Sequence, residues 1–121
     1  MTIYALSTPA GVSGIAIIRL SGPNSLIITK DIIHGTIDKP RMALLKTFYD
    51  SKKEIIDEGI VVWYPKGQSY TGDDLIEFHV HGSKAVINKF LNELSLRSDC
   101  QLAEAGDCLL YTSDAADDTP C

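Results

Sequence analysis

Seven residues, Leu75 to His81, constrain the fold more than any other stretch of the chain. They read Leu-Ile-Glu-Phe-His-Val-His. Strand side chains alternate between the two faces of a sheet, so Ile76, Phe78 and Val80 share one face and Glu77, His79 and His81 the other. One face belongs on a core; the other carries a carboxylate and two imidazoles in a row. The turn-forming residues Tyr70 to Asp73 precede the strand, and Gly82-Ser83 follows as a helix entry. A polar row at a strand end beside a helix N-terminus suits a ligand. The plainer alternative is a half-buried strand with a solvated outer face.

The rest of the chain supplies a sheet for that strand. Ile3 to Leu6 is a short apolar run, then comes a loop from Ser7 to Gly14 holding Gly11 and Gly14. The loop could cradle a ligand, but glycine-permitted turning between strands explains it as well. It is no phosphate loop, because no stretch fits Gly-x4-Gly-Lys-Ser/Thr. Ile15 to Leu20 is β-branched and nearly continuous, so it reads as a buried strand. Arg19 interrupts it, and a charge there must be paired or reach an edge. Its guanidinium could equally meet an anion in bidentate fashion.

Ser21-Gly22-Pro23 predicts a helix start, with Ser21 or Gly22 as cap and Pro23 in the first turn, running to about His34 with Gly35 as the stop. Met42–Tyr49 and Ile55–Tyr64 read as strands joined by the polar hairpin connector 50–53. A second helix is expected from Ser83 to Arg97. There Val86, Phe90 and Leu94 form one apolar row and Ile87 and Leu91 the next. Residues 100–103 suit a last short strand. The expected class is α+β: a mainly antiparallel or mixed sheet of about five strands with two helices on one face.

With 121 residues the chain suits one modest core. A formal charge of −5 argues against a broad nucleic-acid-binding face, which relies on clustered Lys and Arg. No apolar run approaches the roughly 18 residues of a membrane span, and the N-terminus lacks the pattern of a secretory signal. A cytoplasmic, membrane-free protein is expected. The segment 108–121 breaks the pattern. It holds three of the sixteen acidic residues and none of the eleven basic ones, so the charge without it is −2. It looks like a translated sequencing adapter, and is expected to be a non-native, disordered tail outside the fold. Two of the three cysteines, Cys108 and Cys121, lie in it; Cys100 alone reads as a small buried hydrophobe.

Three stretches together resemble one family. STPAGVSGIAIIRLSG at 7–22, SYTGDDLIEFHVHGS at 69–83 and LAEAGD at 102–107 are similar, in order and spacing, to the N-terminal domain of the TrmE/MnmE tRNA modification GTPases. The resemblance covers residues 1–107. Ser13 stands at a usual glycine, Asp73 at a usual glutamate and Ser83 at the second glycine of His-Gly-Gly; Ala105 and Asp107 replace a usual proline and glutamate.

The resemblance implies a domain that binds a tetrahydrofolate derivative, in the 5-formyl or 5,10-methylene form, and forms a homodimer. Its fold would resemble the folate domains of aminomethyltransferases. Arg19 matches the family's folate-contacting arginine and Glu77 its folate-contacting glutamate; Gly11, Gly14 and His81 are secondary candidates. The family works on the wobble uridine of tRNA with a flavoprotein partner. GTP, Mg and K belong to a GTPase module expected to be missing from this chain, as are further folate contacts. The domain alone is not expected to catalyse a reaction.

On this reading His81 orders the strand-to-helix turn and His79, outside the family pattern, is a surface residue. Glu77→Ala is expected to leave thermal stability nearly intact. Two alternatives stand beside folate binding: a dimerisation module without ligand, and a metal site built from Glu77, His79 and His81.

Overall fold

Strand Leu75–His81 (β5) sits inside the sheet, flanked by Ile15–Ser21 (β2) and Ile55–Tyr64 (β4), both antiparallel to it. The computed structural model describes residues 1–8, 14–67, 69 and 71–104. Beyond β2 lie Ile3–Leu6 (β1), antiparallel, and Gln101–Leu102 (β6), parallel to β1; beyond β4 lies Leu44–Tyr49 (β3). The order is β3-β4-β5-β2-β1-β6, a six-stranded mixed sheet. Helices Ser25–Ile33 (α1) and Lys84–Ser95 (α2) complete the expected α+β class.

Both helices pack on one face. Ala16, Ile18 and Leu20 of β2 and Ile76, Phe78 and Val80 of β5 join Ile28 and Ile32 of α1 and Ile87, Phe90 and Leu94 of α2 in one core. Phe48, Phe78 and Phe90 fill its centre, with ring centroids 4.9 to 5.7 Å apart. Apolar rings at these separations add to the burial energy of each side chain. Ser83 caps α2 by accepting from the Val86 N–H at 3.2 Å.

Two expectations are corrected. The expected burial of β2 is complete only on its helix-facing side: Ala16, Ile18 and Leu20 are buried, while Ile15 is 57% exposed and Ile17 and Arg19 are half-buried. A continuous apolar run does not reveal that only one face receives a helix layer. Helix α1 begins later than expected, at Ser25 after Asn24, because residues 21–24 are used otherwise. Gly22 has φ 139°, with Thr2 packed where a Cβ would go. The Ser25 hydroxyl donates to the Gly22 and Asp74 carbonyls. That ties the helix start to the entrance of β5.

Candidate functional site

Strand register sorts the helix-free face into rows. Tyr64, Leu75, Ser21 and Ile3 form the first, across β4, β5, β2 and β1. Val62, Glu77, Arg19 and Ala5 form the second. Leu45, Ile60, His79 and Ile17 form the third, across β3, β4, β5 and β2. His81 and Ile15 lie beyond. Burial falls along this series. Leu75, Ser21, Ala5, Val62 and Glu77 are all buried, whereas Ile60, His79 and Ile17 are half-buried and Leu45 and Ile15 are exposed.

Two segments cover the buried end. Ala103 follows β6, donates to the Tyr4 carbonyl at 2.8 Å, and packs with Ala5, Leu75, Ile3 and Tyr64 in a second small core. The segment before β5 is folded by side-chain bonds. The Thr71 hydroxyl lies 2.8 Å from that of Ser21, and Asp74 Oδ1 accepts from the Trp63 indole and the Lys66 N–H. The Thr71 hydroxyl and the Asp74 carboxylate thus supply bonds where the strand ladder has not begun, as turn chemistry often does.

Glu77 lies where the covered half meets the open half. Its Oε2 accepts from Arg19 Nε at 2.9 Å, and its Oε1 lies 3.1 Å from His79 Nε2. Burial pushes its carboxyl up, but the hydrogen bond from His79 and the charge and hydrogen bond of Arg19 outweigh that, so Glu77 titrates below its ordinary value. Burial also raises the Tyr64 phenol, helped by the Glu77 charge and opposed by Arg19 and Arg41. The result is an ionised carboxylate held on a mostly apolar surface, an arrangement that can accept hydrogen bonds from a neutral or cationic partner.

The structure therefore brings Arg19 and Glu77 into contact and adds His79. It sets the secondary candidates apart. His81 lies at the open end, where Asp57 accepts its backbone N–H at 2.8 Å and faces its ring Nδ1 at 2.9 Å. There the β4–β5 ladder has ended at Ile60 and Asp57 bonds the end of β5; Gly59 packs so closely on the His79 carbonyl that a Cβ would collide with it. The Gly14 carbonyl accepts from the Gly82 N–H at 3.0 Å at the same end. Gly11 lies outside the described residues, as does the tail 108–121. Among the described residues no three His, Cys, Asp or Glu side chains are placed to hold a metal ion; Glu77 and His79 meet, but His81 is turned to Asp57.

The expectation of His79 as a mere surface residue is corrected, since its ring contacts Glu77 and its side chain is 28% exposed. Its i+2 spacing from Glu77 was the available signal. Asp57, remote in sequence, carried none.

These features define an α+β domain with helices on one sheet face and an ion-paired, buried carboxylate on the other. Residues 2–112 match the family described as GTP-binding protein TrmE N-terminus. The chain is 45% identical over 108 residues to the tRNA modification GTPase MnmE of Pelagibacter ubique. It is 42% identical over 106 residues to the protein of that name from Brucella anthropi, and 44% over 106 to that from Maricaulis maris. Each match covers 88% of this chain and 24% of the relative, so the chain spans about a quarter of their length. The chain belongs to the TrmE N-terminal domain family, as its motifs had suggested.

Proposed function

We propose that this chain is the folate-binding, dimerising N-terminal part of a tRNA-modifying GTPase. The observation that supports this most is the buried Glu77 carboxylate on the helix-free face, 2.9 Å from Arg19. A pterin edge presents an amino group and ring N–H donors. A carboxylate offers about four acceptor positions, so its oxygens can take such a donor pair while still serving Arg19 and His79. The planar Arg19 guanidinium suits a flat ring or an anionic group. An accepting carboxylate beside a guanidinium thus suits a one-carbon tetrahydrofolate, in the 5-formyl or 5,10-methylene form. Gly11 and Gly14 would let the backbone come close, with His81 at the open end of the site.

On this proposal the folding unit is 1–107, with 108–121 a non-native tail. It acts as a homodimer in the cytoplasm. Exposed Leu45 and Ile15, with half-buried Ile60 and Ile17 near them, support an apolar contact on the open face. The printed names of the relatives support tRNA modification by the whole protein. There GTP, Mg and K would serve a GTPase segment outside this chain, and a flavoprotein and tRNA would be the partners.

Calorimetric titration with 5-formyltetrahydrofolate tests the reading. The wild-type chain should bind, and Glu77→Gln should lose roughly tenfold or more in affinity, the worth of a charge-assisted hydrogen bond pair. Gln keeps the shape and an acceptor for Arg19. Unchanged affinity in the variant would remove Glu77 from the site and sink the proposal.

A further inference from the structure

His79 stands in the third row of the open face, between Ile60 and Ile17, at a position the family motif leaves unassigned. Its Nε2 lies 3.1 Å from Glu77 Oε1, on the oxygen that Arg19 does not hold at 2.9 Å. The two partners therefore grip opposite oxygens of one carboxylate, which fixes its rotation about the last side-chain bond. An ionised carboxylate only accepts, so His79 must carry its hydrogen on Nε2, in the neutral tautomer or the imidazolium alike. The nearest charged neighbours are few. Along β5 they are Glu77 and His81, the latter bonded to Asp57; across the sheet they are Arg19 on β2 and Glu58 on β4, which lines a shallow cavity with His79.

We propose that His79 is a positioning residue for the proposed folate site: it holds the Glu77 carboxylate correctly turned, so that the ligand meets an acceptor already oriented. This inference rests on the folate reading of the site. It goes beyond that reading by assigning the orientation of the acceptor to a residue two positions along the strand. Preorganisation of this kind raises affinity by removing the ordering cost from the binding step. Without His79, one oxygen of a buried carboxylate loses its partner, and the group is freer to rotate and easier to protonate.

The test uses the full chain and two variants, His79→Ala and His79→Gln. The first measurement is the titration of the Glu77 side-chain carboxyl by carbon-detected NMR, without ligand, from about pH 3 to 6, around the ordinary carboxylate range. The Glu77 midpoint should move up in His79→Ala and return toward wild type in His79→Gln, whose amide restores a donor without the ring. The second measurement is calorimetry with 5-formyltetrahydrofolate over the same pH range. His79→Ala should bind about tenfold more weakly, as for one lost charge-assisted hydrogen bond, and its acid limb should shift to higher pH. His79→Gln should recover most of the affinity.

An unmoved Glu77 midpoint in His79→Ala overturns the inference whether or not folate binds. A moved midpoint with unchanged affinity and acid limb also overturns it, because orientation would then not matter to the ligand. A moved midpoint in a chain whose wild type binds no folate leaves the grip on Glu77 standing and overturns the folate reading instead.

Discussion

The two faces of this sheet are made from the same strands yet solve different problems. On the helix-covered face, Ile18, Leu20, Ile76, Phe78 and Val80 are nearly completely excluded from solvent. On the other face, residues one position away grade from buried Leu75 through ion-paired Glu77 to half-exposed His79 and exposed Ile15. The first face spends its side chains on stability, through apolar burial at about 25 cal/mol per Å². The second keeps a carboxylate away from bulk water and then steadies it with Arg19 and His79. Burial of that kind is costly unless every hydrogen-bonding position finds a partner. The proposed function thus falls on the face that gives up core packing.

Truncating adjacent residues on the two faces should separate them most clearly. Phe78→Ala should cost about 3–5 kcal/mol in urea denaturation, because Phe48 and Phe90 would border a cavity. Similar losses on both faces would mean that they are not distinct. Glu77→Ala should cost about 1–3 kcal/mol, since Arg19 and His79 lose their shared acceptor. The burial of Glu77 thus replaces the simpler expectation that its removal leaves stability nearly intact.

A smaller effect should appear with pH. The folded Glu77 carboxyl titrates below its ordinary value of 4.5. As pH falls, the unfolded chain takes up this proton first, so the stabilisation is complete above the ordinary value and is lost as pH falls through the folded one. The melting temperature of wild type should therefore fall more steeply than that of Glu77→Gln below about pH 4.5; parallel curves would show that Glu77 is not held as an ion. The smallest effect belongs to Leu45→Ser. Leu45 is 65% exposed, and the change should stay within about 0.5 kcal/mol while weakening the proposed self-association in analytical ultracentrifugation. A large loss of monomer stability would place Leu45 in the core and erase the contrast between the faces.

Much of the fold was legible in local pattern. Alternation located β5 and its core-facing residues, and the apolar rows at Val86, Phe90 and Leu94 located α2 and its packing side. The limits of β2 and α1 were harder. A β-branched run looks the same whether one face or two are covered, and the start of α1 depends on Thr2 packing against Gly22 from far along the chain. The site divided in the same way. The family motifs pointed to Arg19 and Glu77, whose separation of 58 residues hides their contact until β2 and β5 pair.

Periodicity and ordered motifs were enough for the class, the core-facing residues of β5 and α2, and the family. Only the tertiary structure decided which side chains share Glu77. Strand register sets that, and register is a long-range property. It turns His79 toward Glu77 and His81 toward Asp57, though the two histidines are two residues apart on the same face. The difference arises where the β4–β5 ladder ends at Ile60 and His79, beside the glycine packed on the His79 carbonyl, and Asp57 takes the end of β5.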